Sequence, residues 1–240
     1  MRIPRLYVNA ALVLHQPTAL TGEQAHRLTR VLRLRADATL RVFNGEGGEY
    51  TCTLQRNGQH WRVLPTGKSE RDVRSALRIM LAQSITRSER MDFALQKAVE
   101  LGVTRIQPIL AERSTFKPQS RRLHNRQAHW QRIVIQTCEQ CGRTDLPELL
   151  DPCPSQDWMA DNPSAIMLCA DAQTSLSELP LSGSDVAVLV GPEGGFSADE
   201  IRAARGLGLA TASLGPRTLR TETTALVALT VLQIRCGDLG

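Results

Sequence analysis

Apolar strand-like runs alternate with helical patterns through the last two thirds of the chain, and this alternation restricts the fold more than any other feature. The strand-like runs include ALRIMLAQS, RIQPILAE, AIMLCA, VAVLV and ATASL. Helical patterns lie at about 87–101, with Gly102 as the stop signal, at about 125–142, and from about 198 and 222. Such alternation is typical of a mainly parallel sheet covered by helices, so an α/β domain is predicted over residues 74–240.

The first 70 residues have a different pattern. Short runs rich in β-branched and aromatic residues are broken by turn signals, and Asn44-Gly45 and Asn57-Gly58 are candidates for hairpin turns. One helix, GEQAHRLTRVLRL, is predicted among these strands, with Thr21 as its N-cap. These features predict a small β-barrel domain over residues 1–70, with a polar linker over 67–75.

The positive charge is concentrated near the N-terminus. Residues 1–73 carry 11 Lys and Arg against 6 Asp and Glu, and the remaining residues are balanced, so the net charge of +5 arises in the first third. A basic small domain beside a neutral larger one is typical of a nucleic-acid-binding module attached to a working domain. A solvated arginine-rich surface without a partner is the alternative that charge alone leaves open.

Several classes of protein are disfavoured. No apolar run reaches the roughly eighteen residues of a membrane span, and the start MRIPRLYVNA lacks a signal-peptide core, so a cytoplasmic protein without membrane association is expected. The six scattered cysteines do not form a disulfide framework. Cys138 and Cys141 lie on a helical stripe with Trp130 and Val134, which favours core thiols over a zinc or redox site. The opposite helix face is polar and is either a substrate-contacting or an ordinary solvated face, with Arg132, Gln136, Glu139, Gln140 and Arg143.

A first glycine-rich loop follows the strand VAVLV. Gly191-Pro192-Glu193-Gly194-Gly195 comes directly after it, and Ser197 with Glu200 then opens a helix as a capping box. Glycines let main-chain groups approach a ligand closely, and this position at the end of a parallel strand is where α/β sheets bind ligands. The loop is neither a P-loop nor a dinucleotide fingerprint. A tight turn is the alternative, but the charge of Glu193 serves no turn and favours a function.

A second loop follows the strand ATASL. Arg217, Arg220 and Glu222 lie within six residues and are followed by a helix that is apolar nearly all round, which predicts that this helix is buried. Charges beside a buried helix are costly unless they are paired or bind something. Ligand or substrate binding is favoured over a structural Arg–Glu pair.

A third loop, near Asp171, follows AIMLCA. If the three strands are neighbours, the three loops form one pocket. The five histidines are dispersed outside these loops, and no metal cluster or Ser-His-Asp set is present in them. Hydrolysis by a triad or a metal is therefore disfavoured, and group transfer from a bound cofactor is favoured.

The two loop sequences, LVGPEGGFSADEI and LGPRTLRTETTA, closely resemble the cofactor-loop motifs of the RsmE family, the small-subunit ribosomal RNA uridine-N3 methyltransferases of the SPOUT superfamily. QKAVELGVTRIQPILAERS and EQCGR resemble two further motifs, and HRLTRVLRLR and FNGEGGEY resemble the PUA-like N-terminal domain of that family. The resemblance covers nearly the whole chain. One departure is Ala-Asp-Ala at residues 36–38, in place of the usual Gly-Asp turn.

The resemblance implies a trefoil-knotted parallel-sheet domain over residues 74–240, behind a PUA-like RNA-binding β-barrel domain over residues 1–70. It implies S-adenosylmethionine as cofactor, no metal, a homodimer, and a uridine in the decoding region of 16S ribosomal RNA as substrate, reached in the assembled small subunit. Implied cofactor-binding residues are Leu168, Gly191, Glu193, Gly194, Gly195, Leu214, Gly215 and Leu219.

The catalytic candidates are Arg220, Glu222 and Arg217. An arginine can stabilise the uracil anion, and water or Glu222 can take the N3 proton. The RNA-binding candidates are Arg5, Arg30, Arg33, Arg35, Arg113, Gln140 and Arg143. Two alternatives stay open: a non-catalytic ribosome-assembly factor that binds RNA with the same fold, and a methyltransferase acting on the ribose 2′-oxygen.

Overall fold

The computed structural model describes residues 3–69, 73–114 and 120–240. The chain forms two compact units: unit 1 is Met1–Arg74 with Cys138–Leu146, and unit 2 is Ser75–Thr137 with Pro147–Gly240. The domain division predicted from the sequence differs in one segment, because it assigned residues 138–146 to the second domain. A helical pattern does not reveal which domain its last turn packs against. The predicted linker lies partly outside the described residues, and its first residues, 67–69, belong to a strand.

Unit 1 contains a five-stranded mixed sheet. Its strands are β1 (Arg5–Tyr7), β2 (Thr18–Ala19), β3 (Thr39–Phe43), β4 (Glu49–Asn57) and β5 (His60–Ser69), in the order β1-β3-β4-β5-β2. Only β1 and β3 are parallel. The Asn57-Gly58 turn joins β4 to β5 as predicted, and Gly58 has φ +60°. The connection from β3 to β4 is longer than the predicted tight turn and places Gly45, Gly47 and Gly48 at positive φ.

The helix of unit 1 begins where the sequence predicted. Thr21 caps α1 (Gly22–His26), and its side chain and that of Gln24 form a reciprocal capping box. One π-helical turn, Arg27–Val31, continues α1. The predicted helix was longer, but Arg33 has φ +54°, which a right-handed helix does not contain. Leu28 from this turn is fully buried among strand residues such as Leu40 and Val42, which form the core of the unit.

Unit 2 contains a seven-stranded parallel sheet, as the alternating pattern predicted. Its strands are β6 (Arg78–Ser84), β7 (Arg105–Leu110), β8 (Glu148–Leu149), β9 (Cys153–Pro154), β10 (Ile166–Leu168), β11 (Asp185–Val190) and β12 (Ala210–Ala212). The order is β12-β10-β11-β6-β7-β8, and β9 also pairs with β7. The central strands are the most buried, because both faces of a parallel sheet are covered by helices.

The remaining helices are α2 (Ser88–Glu100), α3 (Ser120–Cys141), α4 (Ser155–Asp161), α5 (Ala198–Gly206) and α6 (Thr221–Cys236). Gly102 follows α2 at φ +81°, which confirms the predicted stop. Of the predicted core thiols, Cys138 is buried and Cys141 is half-buried. Burial raises the pKa of the Cys138 thiol to about 12. Within the described ranges, no helix combines the length and the apolarity needed to cross a membrane.

The prediction that α6 is buried nearly all round is wrong. Ala225, Leu229 and Leu232 are buried on one side, and α6 packs against α2. On the other side Leu226 and Val227 are only half-buried, and Ile234 is 55% exposed. An apolar sequence predicts that a helix face is covered, but this single chain covers only part of α6.

Candidate functional site

The three strands that precede the candidate loops are neighbours in the sheet of unit 2. β10 lies between β11 and β12, and all three are parallel, so their carboxyl ends meet at one edge. A cavity of about 550 Å³ lies at this edge, within the usual size of small-ligand sites, about 300–1,000 Å³. This confirms the predicted convergence of the three loops.

All eight predicted cofactor-binding residues line this cavity: Leu168, Gly191, Glu193, Gly194, Gly195, Leu214, Gly215 and Leu219. Val190, Phe196 and Ile201 add further apolar wall. The site thus combines apolar side chains with the main chain of two glycine turns, which suits a flat, partly apolar ligand with polar edges.

The first glycine loop has little free space. A Cβ added to Gly191 lies 3.0 Å from the Phe196 ring, so a side chain at Gly191 displaces that ring. Gly195 has φ +66°, and its N–H donates to Pro192 O, which closes the turn.

The capping box after this loop is confirmed and is part of a larger buried network. Ser197 Oγ accepts from the Glu200 N–H, and Glu200 Oε2 accepts from the Ser197 N–H. Glu200 Oε1 also accepts from the Ser155 hydroxyl and from the Glu112 N–H. One buried carboxylate therefore joins the first loop to α4 and to the end of β7.

The second loop is joined to the first by the Thr221 hydroxyl. Thr221 Oγ1 donates to Gly191 O at 2.6 Å and accepts from Gln83 Nε2 at 3.0 Å. Thr221 and Gln83 are both buried. Gly215, in the turn itself, has φ +97°, which favours glycine.

Four arginines line the cavity: Arg90, Arg113, Arg217 and Arg220. Arg217 and Arg220 are exposed, and no side-chain partner is recorded for either within the described part of the chain. Arg113 Nη1 donates to Gly194 O at 3.3 Å. These exposed guanidiniums are suited to anionic groups such as phosphate or a uracil anion.

Glu222 differs from its predicted place. It is not among the cavity-lining residues, and its side chain is only 12% exposed. Its Oε1 lies 3.9 Å from Arg90 Nε. Because the carboxylate faces Arg90 rather than the cavity, the structure does not support Glu222 as the group that takes a proton from the substrate.

The RNA-binding candidates of unit 1 fall into two groups. Arg30, Arg33 and Arg35 are exposed. Arg5 is not: its side chain is 8% exposed, and Nε donates to Glu49 Oε1 at 2.6 Å. Nη1 and Nη2 donate to four main-chain carbonyls of the 138–146 segment, those of Cys138, Glu139, Gly142 and Arg143. The prediction that Arg5 binds phosphate is wrong, because all five of its donors are used inside unit 1.

Two residues of the predicted polar helix face are also buried in unit 1. Arg143 is bound to Asp145 through Nε and Nη2, and its side chain is 7% exposed. Glu139 accepts the Tyr7 N–H and pairs with Arg27. Gln140 is exposed. The expectation that Arg143 faces RNA is therefore not met, since a helical count cannot anticipate pairing with a residue beyond the helix.

Cys169 is a wall residue that the sequence did not single out. Burial, together with the nearby Asp171 carboxylate, raises the pKa of its thiol to about 11, so the thiol is neutral at physiological pH. In the described ranges, no group of three or more His, Cys, Asp or Glu side chains is arranged to hold a metal ion.

Sequence reasoning also missed Arg90, Gln83 and Thr221. Arg90 lies in an ordinary charged first turn of α2, Gln83 ends an apolar strand, and Thr221 stands between two more conspicuous charged residues. The buried polar Gln83 inside an apolar run was the one available signal.

Comparison with known proteins decides the family. Residues 73–233 match the RNA methyltransferase domain family, and residues 20–58 match the RNA methyltransferase PUA domain family. The chain is 36% identical to the ribosomal RNA small subunit methyltransferase E of Buchnera aphidicola from Schizaphis graminum, over 99% of this chain and 98% of that protein. The chain belongs to this RNA methyltransferase family.

Solved members of the family have the same fold. A methyltransferase from Legionella pneumophila, solved with bound S-adenosylmethionine, superposes with a TM-score of 0.95 at 36% identity, and each chain is fully covered. The ribosomal RNA small subunit methyltransferase E from Neisseria gonorrhoeae, bound to S-adenosylmethionine, gives 0.92 at 33% identity with the same coverage. The resemblance to the RsmE family and the α/β fold with a PUA-like unit are confirmed, whereas the trefoil knot stays a prediction.

Proposed function

We propose that this chain uses S-adenosylmethionine to methylate N3 of a uridine in the decoding region of 16S ribosomal RNA within the small ribosomal subunit. The observation that carries the proposal is the cavity at which the Gly191–Gly195 loop and the Leu214–Arg220 loop meet, with arginines at its wall. Two relatives with the same fold bind S-adenosylmethionine, and the Buchnera relative is a small-subunit ribosomal RNA methyltransferase. Since small subunits are in the cytoplasm, we propose that the chain acts there.

The residues of the cavity suit this cofactor. Leu168, Leu214 and Leu219 offer apolar surface for an adenine ring, and the glycine turns offer main-chain donors and acceptors for its edge. Glu193 and Asp171 supply negative charge for a cationic, hydroxyl-bearing ligand. When bound, the cofactor supplies a methyl group activated by a positively charged sulfur.

The acceptor needs help from the protein, because N3 of uracil carries a proton. When that proton leaves to water, negative charge spreads onto the flanking carbonyl oxygens, where an arginine stabilises it. The N3 lone pair then forms the bond to the methyl carbon, while the carbon–sulfur bond breaks and its electrons stay on sulfur. Arg217 and Arg220 can stabilise the anion or bind the adjoining phosphate, since both are exposed at the cavity.

RNA binding is assigned to exposed cations. Arg30, Arg33 and Arg35 of unit 1 and Arg113 of unit 2 can each pair with a phosphate, and Gln140 can donate to a base or ribose. The target base has to leave any Watson–Crick pair before reaction, because N3 is the pairing edge.

We also propose a homodimer through the outer side of α6. Leu226, Val227, Val231 and Ile234 form an apolar strip that is half-buried or exposed in the single chain. Ile234→Glu should shift sedimentation toward the monomer, whereas Leu207→Glu, at an exposed leucine after α5, should not. A monomeric wild-type chain would overturn this assignment.

The decisive experiment measures the modified base. Small subunits from cells that lack the gene are incubated with the purified chain and S-adenosylmethionine, and the RNA is digested and analysed by mass spectrometry. We expect 3-methyluridine at one site. A 2′-O-methylated product identifies the ribose as acceptor, and cofactor binding without methylation favours the assembly-factor alternative; either result contradicts the proposal.

A matched pair of glycine variants tests the site. Gly191→Ala should abolish cofactor binding and methylation, because the added Cβ lies 3.0 Å from Phe196. Gly206→Ala in α5 should retain both, because nothing lies within 4 Å of its added Cβ. Equilibrium dialysis with labelled S-adenosylmethionine separates loss of binding from loss of chemistry.

A further inference from the structure

Arg90 lies between acidic residues from both sides of the cavity. It stands in the first turn of α2, its side chain is 36% exposed, and it lines the cavity. Nη1 donates to Glu193 Oε1 at 3.3 Å, and Nε lies 3.9 Å from Glu222 Oε1. Glu193 belongs to the first glycine loop and Glu222 to the turn of α6 that follows the second. A single guanidinium thus faces a carboxylate from each loop.

The other cavity arginines have a different environment. Arg113 donates to a main-chain carbonyl, and Arg217 and Arg220 have no recorded side-chain partner in the described ranges. Arg90 is therefore held by charge, whereas Arg217 and Arg220 are available for a ligand.

The two carboxylates depend on this arginine. The side chains of Glu193 and Glu222 are 22% and 12% exposed, so water screens them only in part. Oε2 of Glu222 is buried and accepts no hydrogen bond from the described part of the chain, which leaves Arg90 as the recorded cation beside this carboxylate. Without Arg90, two partly buried like charges face each other across the loops and repel.

We propose that Arg90 is a positioning residue that holds the two glycine loops together through Glu193 and Glu222, and so shapes the cofactor cavity. This inference rests on the proposed function, because S-adenosylmethionine is the probe of the cavity. Neither Arg90 nor Glu222 exchanges an atom with the substrate in this role.

Substitution of Arg90 tests the role. For the full chain, Arg90→Met should weaken S-adenosylmethionine binding by calorimetry about three- to tenfold, the range of a partly exposed ion pair. Arg90→Lys should lose less, since an ammonium keeps the charge but cannot face both carboxylates as a planar guanidinium does. Arg87→Met is the matched control: Arg87 is the exposed residue just before α2, does not line the cavity, and should bind like wild type.

A compensating substitution separates this role from ordinary packing. If Arg90 acts by relieving repulsion, Arg90→Met/Glu222→Gln should recover most of the affinity lost by Arg90→Met, because one like charge is gone. An equal or larger loss in the double variant overturns the inference, as does an Arg90→Met chain that binds like wild type. If Arg90→Met does not fold, Arg90→Lys with and without Glu222→Gln makes the same comparison. A wild-type chain that binds no S-adenosylmethionine refutes the proposed function instead.

Discussion

Among single residues, Thr221 has the most specific hydrogen-bond geometry in the site. Gln83 Nε2 directs its two protons to Ser84 O at 3.1 Å and to Thr221 Oγ1 at 3.0 Å. The Thr221 hydroxyl therefore accepts from Gln83, and its only proton goes to Gly191 O. The direction of each bond is determined by the next, so the hydroxyl cannot be removed without leaving both an unpaired donor and an unpaired acceptor.

Thr221→Val removes the hydroxyl and keeps the shape of the side chain. We expect the free energy of unfolding to fall by about 1–3 kcal/mol, because a buried donor and acceptor lose their partner, and S-adenosylmethionine binding to weaken with it. Thr221→Ser should retain both. The control is Thr230→Val, whose hydroxyl donates only to Leu226 O within α6. Urea unfolding and calorimetry measure the two effects, and equal losses in both valine variants contradict the assignment.

Cys169 offers a pH-dependent test of the cavity wall. Burial, with a contribution from Asp171, raises the pKa of its thiol to about 11, and only the thiolate reacts rapidly with alkylating reagents. Alkylation of Cys169 by iodoacetamide should be slow near neutral pH, should accelerate toward pH 11, and should be slowed by bound S-adenosylmethionine. Peptide mass spectrometry compares it with the exposed Cys236. Cys169 labelling at neutral pH as fast as that of Cys236 would refute the burial argument.

For a whole element, the start of α5 determines the position of the first glycine loop. Glu200 closes the capping box with Ser197 and also accepts from Ser155 and from the Glu112 N–H, and its residue is 1% exposed. The loop therefore depends on one carboxylate for its attachment to α4 and to the segment after β7.

Glu200→Ala should lower the free energy of unfolding by about 2–4 kcal/mol, since a cap is lost and three buried donors lose their acceptor. Asp199→Ala is the neighbouring control, because Asp199 is exposed and pairs only with Arg202 on the surface. Its effect should stay below about 1 kcal/mol. Thermal or urea unfolding checks both values, and a Glu200→Ala loss no larger than that of Asp199→Ala is the contrary result.

Local signals predicted the elements that have a strong periodicity or a cap. Thr21, Ser197 and Gly102 mark helix ends in the sequence and in the structure. The short elements β8, β9 and α4 could not be predicted, because two-residue strands have no period to detect. The early end of the first helix at Arg33 depends on a left-handed residue that only the surrounding structure favours.

The candidate site was predictable to the extent that its residues lie on loops after strands. The parallel sheet brings those loops to one edge, so the glycine turns meet as expected. Residues whose role depends on a distant partner were misjudged. Arg5 is paired with Glu49, and Glu222 lies beside Arg90 from a different helix. Charge in a sequence does not show whether its partner is solvent, ligand or another side chain.

Over the whole molecule, the excess positive charge lies in the first 73 residues, and the remainder is balanced. After Arg5 is excluded, the exposed cations of the turn after α1, Arg30, Arg33 and Arg35, remain as the proposed phosphate contacts. Cations that bind phosphates release counterions, so RNA affinity falls with salt in proportion to their number.

Replacing Arg30, Arg33 and Arg35 with alanine should lower the slope of log affinity against log salt by about 2–3, at about 0.7–0.9 per phosphate contact. The control replaces Arg78, Arg105 and Arg202 of unit 2, which lowers the net charge equally but removes cations already paired with Asp185, Glu148 and Asp199. Its slope should change by less than about 1. Filter binding to small subunits from cells lacking the gene, at several salt concentrations, gives both slopes. Equal changes in the two variants mean that overall charge, rather than the turn after α1, governs RNA binding.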